Sequence, residues 1–174
     1  MTTPKPEVAL ETMARRLEGR VLTGVVYQGS PTLGDVHVAT HAVFLEAGER
    51  IEVVAEDQVG IGHGVGVWLR PRKVIDPAFG AIMPAGDTEM WQRFVGTPVT
   101  RATINWADIY ESLRGSLSIT IAIHADHLRR IDYPASLELE FPEGGISITA
   151  GRFDAGKLHP LEPGLVIRAY ARTR

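Results

Sequence analysis

The stretch Leu17-Glu18-Gly19-Arg20-Val21-Leu22-Thr23-Gly24-Val25 returns 77 positions later as Phe94-Val95-Gly96-Thr97-Pro98-Val99-Thr100-Arg101-Ala102. Both stretches place a large apolar residue two before a glycine, then an apolar residue, a threonine and a small apolar residue. Further correspondences follow it. Phe44, Ile51, Val53 and Ala55 match Leu139, Ile146, Ile148 and Ala150 at an offset of 95, and Gly66 to Arg70 match Gly164 to Arg168 at 98. Self-similarity of this kind implies two supersecondary units that each cover an apolar face with the other.

Upstream of Gly19, Leu10, Met13, Ala14 and Leu17 recur at spacings of three and four, with Glu7 and Glu11 early and Arg15 and Arg16 late. That pattern predicts a helix whose charges complement its dipole. Beyond Gly19 the period becomes two, and Val21–Tyr27, Val36–Glu46, Ile51–Glu56 and Val65–Leu69 read as strands. The second half predicts a short helix capped by Asp87 or Thr88, then strands over Val99–Trp106, Leu117–His124, Ser136–Phe141, Ile146–Ala150 and Leu165–Ala169. The expectation is therefore an α+β fold built from an internally duplicated helix-plus-antiparallel-strands unit packed as one body. A first unit spans 1–75, a proline-rich connector 76–87, and a second unit 88–174. The growth of the offset from 77 to 95 places an insertion of 18 residues within 109–131.

The bulk numbers narrow the function classes. Hydrophobic residues at 44% and charged residues at 22% are the composition of a globular domain, which excludes global disorder. A formal charge of −3 argues against an electrostatic nucleic-acid binder. The absence of cysteine excludes disulfides and thiolate metal sites. No apolar run approaches the roughly 20 residues of a membrane helix, and Met1 to Glu7 lacks the apolar core of a secretory signal. A cytoplasmic location without membrane contact is the resulting expectation.

Three groups carry candidate chemistry. His124, Asp126 and His127, inside the insertion, are of the type that ligates zinc, nickel or iron, although their spacing does not fix a three-ligand set. Asp35, His37 and His41 share one parity on the strand Val36–Glu46. Val36, Val38, Thr40, Ala42 and Phe44 take the opposite, core-facing parity, which turns the histidines toward water. Gly60, Gly62, Gly64 and Gly66 alternate without the following helix and lysine of a phosphate loop, so they read as a turn or a close backbone approach. No serine elbow is present and no cofactor is implied.

Trp106, Tyr110, Arg114, Arg129 and Arg130 flank the insertion and combine aromatic contact area with charge, which is the composition of a protein-binding surface. A short amphipathic turn of helix over Trp106–Leu113 fits the four-residue spacings there. The short helix, the Gly turn and the hairpin phrases Phe44–Ala55 and Leu137–Ala150 resemble small bacterial immunity proteins that neutralise toxins. That resemblance implies a binding role with another protein as partner. The sequence-level expectation is thus a non-enzymatic protein-binding module acting through the insertion. A His/Asp metal-binding protein or hydrolase, and a binder of a small apolar ligand between the sheets, are the alternatives.

Overall fold

The computed structural model describes residues 6–56, 66–112, 128–160 and 162–171, of which 6, 7, 109–112 and 128–131 by backbone alone. The two corresponding stretches meet face to face. Gly19 N–H donates to the Val99 carbonyl at 2.8 Å and Gly96 N–H to the Leu22 carbonyl at 2.7 Å. Val99 N–H donates to Arg20 at 2.9 Å and Leu22 N–H to Thr97 at 3.0 Å, around an isolated bridge between Val21 and Pro98. Exchanging the two segments leaves this set of four bonds unchanged. Gly19 and Gly96 both hold positive φ, 73° and 87°, which a glycine adopts without strain. Pro98 sits where the bridge needs no N–H from it.

From this crossing each segment enters a different sheet. The first sheet comprises β1 (Gly24–Gln28), β3 (Ala42–Glu46), β4 (Arg50–Glu56), β5 (Gly66–Pro71) and β6 (Ile82–Pro84), ordered β5-β4-β3-β1-β6. The second comprises β2 (His37–Ala39), β7 (Arg101–Ser112), β8 (Leu128–Phe141), β9 (Gly144–Ala150) and β12 (Leu165–Ala171), ordered β2-β12-β9-β8-β7. All pairings are antiparallel. A hairpin of β10 (Arg152–Asp154) and β11 (Lys157–His159) stands apart and contacts β12. The sheets face each other across one core, to which the first gives Val25, Val43, Leu45, Ile51 and Val53 and the second Ile104, Leu137, Leu139, Ile146, Ile148 and Ile167.

This architecture corrects the α+β expectation: the chain is mostly antiparallel sheet, and no helix-plus-strands unit recurs. Helix α1 (Pro6–Arg15) is ten residues long, but α2 (Glu89–Gln92) is a single turn of four. The amphipathic spacing around Met90, Trp91 and Phe94 extends no further, because Gly96 and Pro98 end it and the residues beyond are strand formers. Helix α1 buries Leu10 and Ala14, with Leu17 just beyond its last turn, and lies against the edge strands β5 and β7. Glu18 accepts the Ala102 N–H at 3.0 Å, covering part of the β7 edge.

The long strand expected over Val36–Glu46 is two strands in different sheets, with the chain turning at Thr40 and His41. β2 pairs β12 in one sheet, and β3 pairs β1 and β4 in the other. The expected parity is inverted in both strands: His37 and Ala39 in β2, like Val43 and Leu45 in β3, face inward, so His37 is buried. In β3 both faces are covered. Val43 and Leu45 face the core, while Ala42 and Phe44 form a second cluster with Val54 beneath Ile75 and Trp68. The segment that follows β5 supplies that cover: Ile75 packs on the cluster, and β6 pairs with β1.

Two tests follow from this packing. Leu139 lies fully buried between the sheets, and Leu139→Ala is expected to destabilise by about 2–5 kcal/mol in chemical denaturation. The β10–β11 turn holds Ala155 at φ 47° before Gly156 at 79°, a primed turn that asparagine fits better than alanine. Ala155→Asn is therefore expected to raise stability, by up to about 1 kcal/mol.

Candidate functional site

The described ends of the segment expected to be inserted, 109–112 and 128–131, belong to a β-ribbon. β7 and β8 pair from Arg101↔Glu140 out to Ser112↔Leu128, whereas β9 accompanies β8 only over Ser136–Phe141. Trp106–Ser112 and Leu128–Pro134 therefore extend past the sheet paired only with each other. A bulge marks the base: Asn105 pairs Ser136 and Trp106 pairs Pro134, leaving Ala135 without a partner position. A bulge tolerates the missing N–H of Pro134 and re-aims the strand. β5 closes against the same point, where a Cβ on Gly66 would lie 2.8 Å from the Pro134 ring. Trp106 packs partly buried against the core, and Tyr133 is buried, which raises its hydroxyl pKa.

Further out, the exposed Asp108 and Asp132 stand at opposite positions, each with polar interactions of its own. Tyr110 then stands opposite Arg130, and Glu111 opposite Arg129. The helical turn expected over Trp106–Leu113 is instead strand through Ser112. Of the expected partner-binding residues, Trp106, Tyr110, Arg129 and Arg130 are brought onto the ribbon, the last three by backbone alone. Arg114 lies outside the described residues, as do His124, Asp126 and His127. Among the described residues no group of three or more His, Asp or Glu could hold a metal ion.

The second histidine group does not converge. Asp35 is exposed, His41 stacks on Phe79 with ring centres 4.8 Å apart, and His37 enters the protein. There His37 Nδ1 lies 2.9 Å from the Tyr27 hydroxyl, which also accepts the Trp91 Nε1–H at 2.5 Å. The indole can only donate, and the buried Tyr27 hydrogen has His37 Nδ1 as its acceptor within reach, an assignment that satisfies the hydroxyl fully and puts the imidazole proton on Nε2. Burial pushes the Tyr27 pKa up and the His37 pKa down, which keeps both groups neutral. The chain joins β1, β2 and α2, and Tyr27 and Trp91 carry no signal in the sequence that marks them as its members.

Two more polar groupings were not legible beforehand. On the outer face of the first sheet, buried Glu52 receives Arg70 and Arg72, and Arg70 reaches Glu56 at 2.7 Å. Glu52's carboxyl pKa is lowered: burial alone would raise it, but the two guanidiniums outweigh that cost. Beside them, Trp68 Nε1 is buried without a partner among the described residues. On the outer face of the second sheet, Glu138 accepts from Ser136 Oγ at 3.0 Å and from Ser147 Oγ at 2.6 Å. Burial, together with the Glu138 and Glu140 charges, pushes the Tyr170 pKa up to about 12, so it stays a donor at neutral pH.

Two surface recesses are lined largely by charged side chains. One, of about 170 Å³, lies between α1 and β7 at Glu11, Arg15, Glu18 and Arg101. The other, of about 470 Å³, lies at Glu46, Glu49, Arg50, Arg72 and Lys73. No helix among the described residues is long and apolar enough to cross a membrane. Comparison with protein-family models, with curated proteins and with solved structures returned no match.

The buried histidine sets a pH dependence. Its pKa is lowered in the folded state from about 6.5 in the unfolded chain, so below that value the unfolded state binds more protons. Stability is then complete above about pH 6.5 and is lost as pH falls through the His37 range. Glu52 adds a loss of the same sign only in the lower carboxylate range. The denaturation midpoint is expected to fall between pH 8 and 5.5 in the native chain and to change less in His37→Gln, whose amide oxygen can still accept from Tyr27. Equal slopes in the two proteins would remove His37 as the cause.

Proposed function

We propose that the chain is a non-enzymatic, cytoplasmic protein-binding module that presents the β7–β8 ribbon to its partner. The observation that carries this reading is the ribbon itself, two strands continuing beyond the sheet from a base fixed by Trp106, Tyr133 and the Gly66–Pro134 contact. A ribbon held at its base offers backbone edges and alternating side chains with less ordering to complete on binding. Tyr110, Arg129 and Arg130 are the residues proposed to meet the partner, with Arg114 between Tyr110 and Arg129 in sequence. The resemblance to immunity proteins favours the same class of role, with a toxin as the kind of partner.

The test is site-specific cross-linking in native cells. A photo-reactive amino acid at Tyr110 or at Arg129 is expected to trap one discrete protein partner. The same group at the exposed Val74, on the connector, is the control. The double substitution Tyr110→Ala with Arg129→Ala is expected to weaken capture while leaving the thermal midpoint close to native. Equal labelling from Val74 and the ribbon, or a collapse of stability with capture intact, would overturn the reading.

A further inference from the structure

The outer face of the second sheet carries two transverse rows. Arg101, Glu140, Gly145 and Tyr170 occupy one, and Thr103, Glu138, Ser147 and Arg168 the next. Every side chain in them is polar or aromatic. Gly145 is the position that shapes the surface: a Cβ there would lie 2.3 Å from the Tyr170 Cζ and hydroxyl oxygen. The tip of the Tyr170 ring therefore lies over Gly145, its partner on β9, and 38% of the residue is exposed.

Close to Tyr170, Glu138 is fixed by Ser136 and Ser147, and its charge helps to raise the Tyr170 pKa. The network runs on to Thr149, 3.2 Å from Ser147, and to Asn105, whose amide donates to Ser136 at 3.4 Å. Along the side, the Arg168 guanidinium is held 5.1 Å over the Phe153 ring of the β10–β11 hairpin. Carboxylates and guanidiniums balance, Glu138 and Glu140 against Arg101 and Arg168.

We propose that this face binds a neutral oligosaccharide, with a pyranose stacked on Tyr170 and its hydroxyls meeting Glu138, Ser147 and Thr149. Three features select that chemistry. The exposed face of an aromatic ring attracts the polarised C–H bonds of a sugar ring, as it attracts other partial positive charge. A carboxylate already held by two hydroxyl donors can accept from sugar hydroxyls with little reorganisation, and charge-assisted bonds of this kind are the strong ones. The balanced charges give no net attraction to a polyanion, and the rows offer no aliphatic surface to a protein or lipid. The strands are spaced about 4.8 Å apart, so the rows from β12 to β7 span the length of two to three sugar units.

The experiment titrates ¹⁵N-labelled full-length protein with cellotetraose, maltotetraose and chitotetraose to millimolar concentration. At least one is expected to give saturable shifts at the amides of Gly145, Ser147 and Tyr170. Tyr170→Ala is expected to weaken that binding by about tenfold or more, while Tyr170→Phe, which keeps the platform, retains most of it. Tyr110→Ala, on the ribbon, is expected to leave it unchanged. The absence of saturable shifts with all three sugars, or shifts that survive Tyr170→Ala undiminished, would overturn the proposal. So would a loss of protein capture, without sugar binding, in Tyr170→Ala.

Discussion

Both sheets depend on the reciprocal crossing of residues 17–25 and 94–102. Four backbone bonds close a loop of more than seventy residues there, and the closing entropy of such a loop is offset only if large apolar surfaces come together as it forms. They do: Leu17, Leu22, Phe94 and Val99 flank the crossing and are all buried. Phe94 then meets Phe141 with ring centres 4.8 Å apart. The crossing also decides which sheet each segment enters. Immediately after it, Thr23 N–H bonds Glu46 at 2.7 Å and Thr100 N–H bonds Glu140 at 2.8 Å, which ties the start of β1 to β3 and that of β7 to β8. Long-range pairing of this kind makes a slow folding step and a cooperative final structure.

A sandwich made by such a crossing still needs its corners fixed, and polar bonds supply what apolar contact cannot. Where the chain passes from β2 to β3, apolar burial alone would accept several registers. The Trp91–Tyr27–His37 chain accepts one, because a slip of β2 by one residue would remove the acceptor from a buried hydroxyl and replace it with Val36 or Val38. An unmatched buried donor costs about 1–3 kcal/mol, more than the net gain from a typical hydrogen bond. The Thr40 hydroxyl, which accepts Ser30 N–H at 2.7 Å, holds the same corner from outside. On the opposite side, Glu52 aligns β4 with β5 through Arg70 in the same way.

What the sequence disclosed and what it withheld divide along the range of the signal. Alternation of period two is a local property, and it located Ile51, Val53, Leu139, Ile146 and Ile148 in the core and both hairpins around Gly48 and Gly144. The change of sheet at Thr40 and His41 has no local signature, since β2 and β3 read as one run of strand formers. The side of His37 was hidden by a different feature: the apolar Ala42 and Phe44 mark the even positions as core, whereas they form the outer cluster under Trp68 and Ile75 and the odd positions face inward. The four-residue spacings of Trp106, Ile109, Tyr110 and Leu113 suit a helix, but pairing of β7 with β8 overrides them in favour of strand through Ser112. Gly145 and Tyr170, 25 residues apart, show no relation until β9 and β12 are paired.

The ribbon and the polar face share one structural cause. β8 runs through both, and its bulge at Pro134–Ala135 separates them: outward of it β8 pairs only with β7, and inward of it Ser136 and Glu138 begin the hydrogen-bonded face. Shifting the bulge by one residue would invert the inward alternation of Leu137 and Leu139 with Ser136 and Glu138, placing a carboxylate in the core. The core therefore fixes the bulge, and the bulge fixes where the ribbon leaves the sheet. Gly66 completes the constraint, because any side chain there would push β5 away from Pro134 and open the side of the sandwich on which the ribbon stands. The direction of the ribbon is thus set by contacts in the interior.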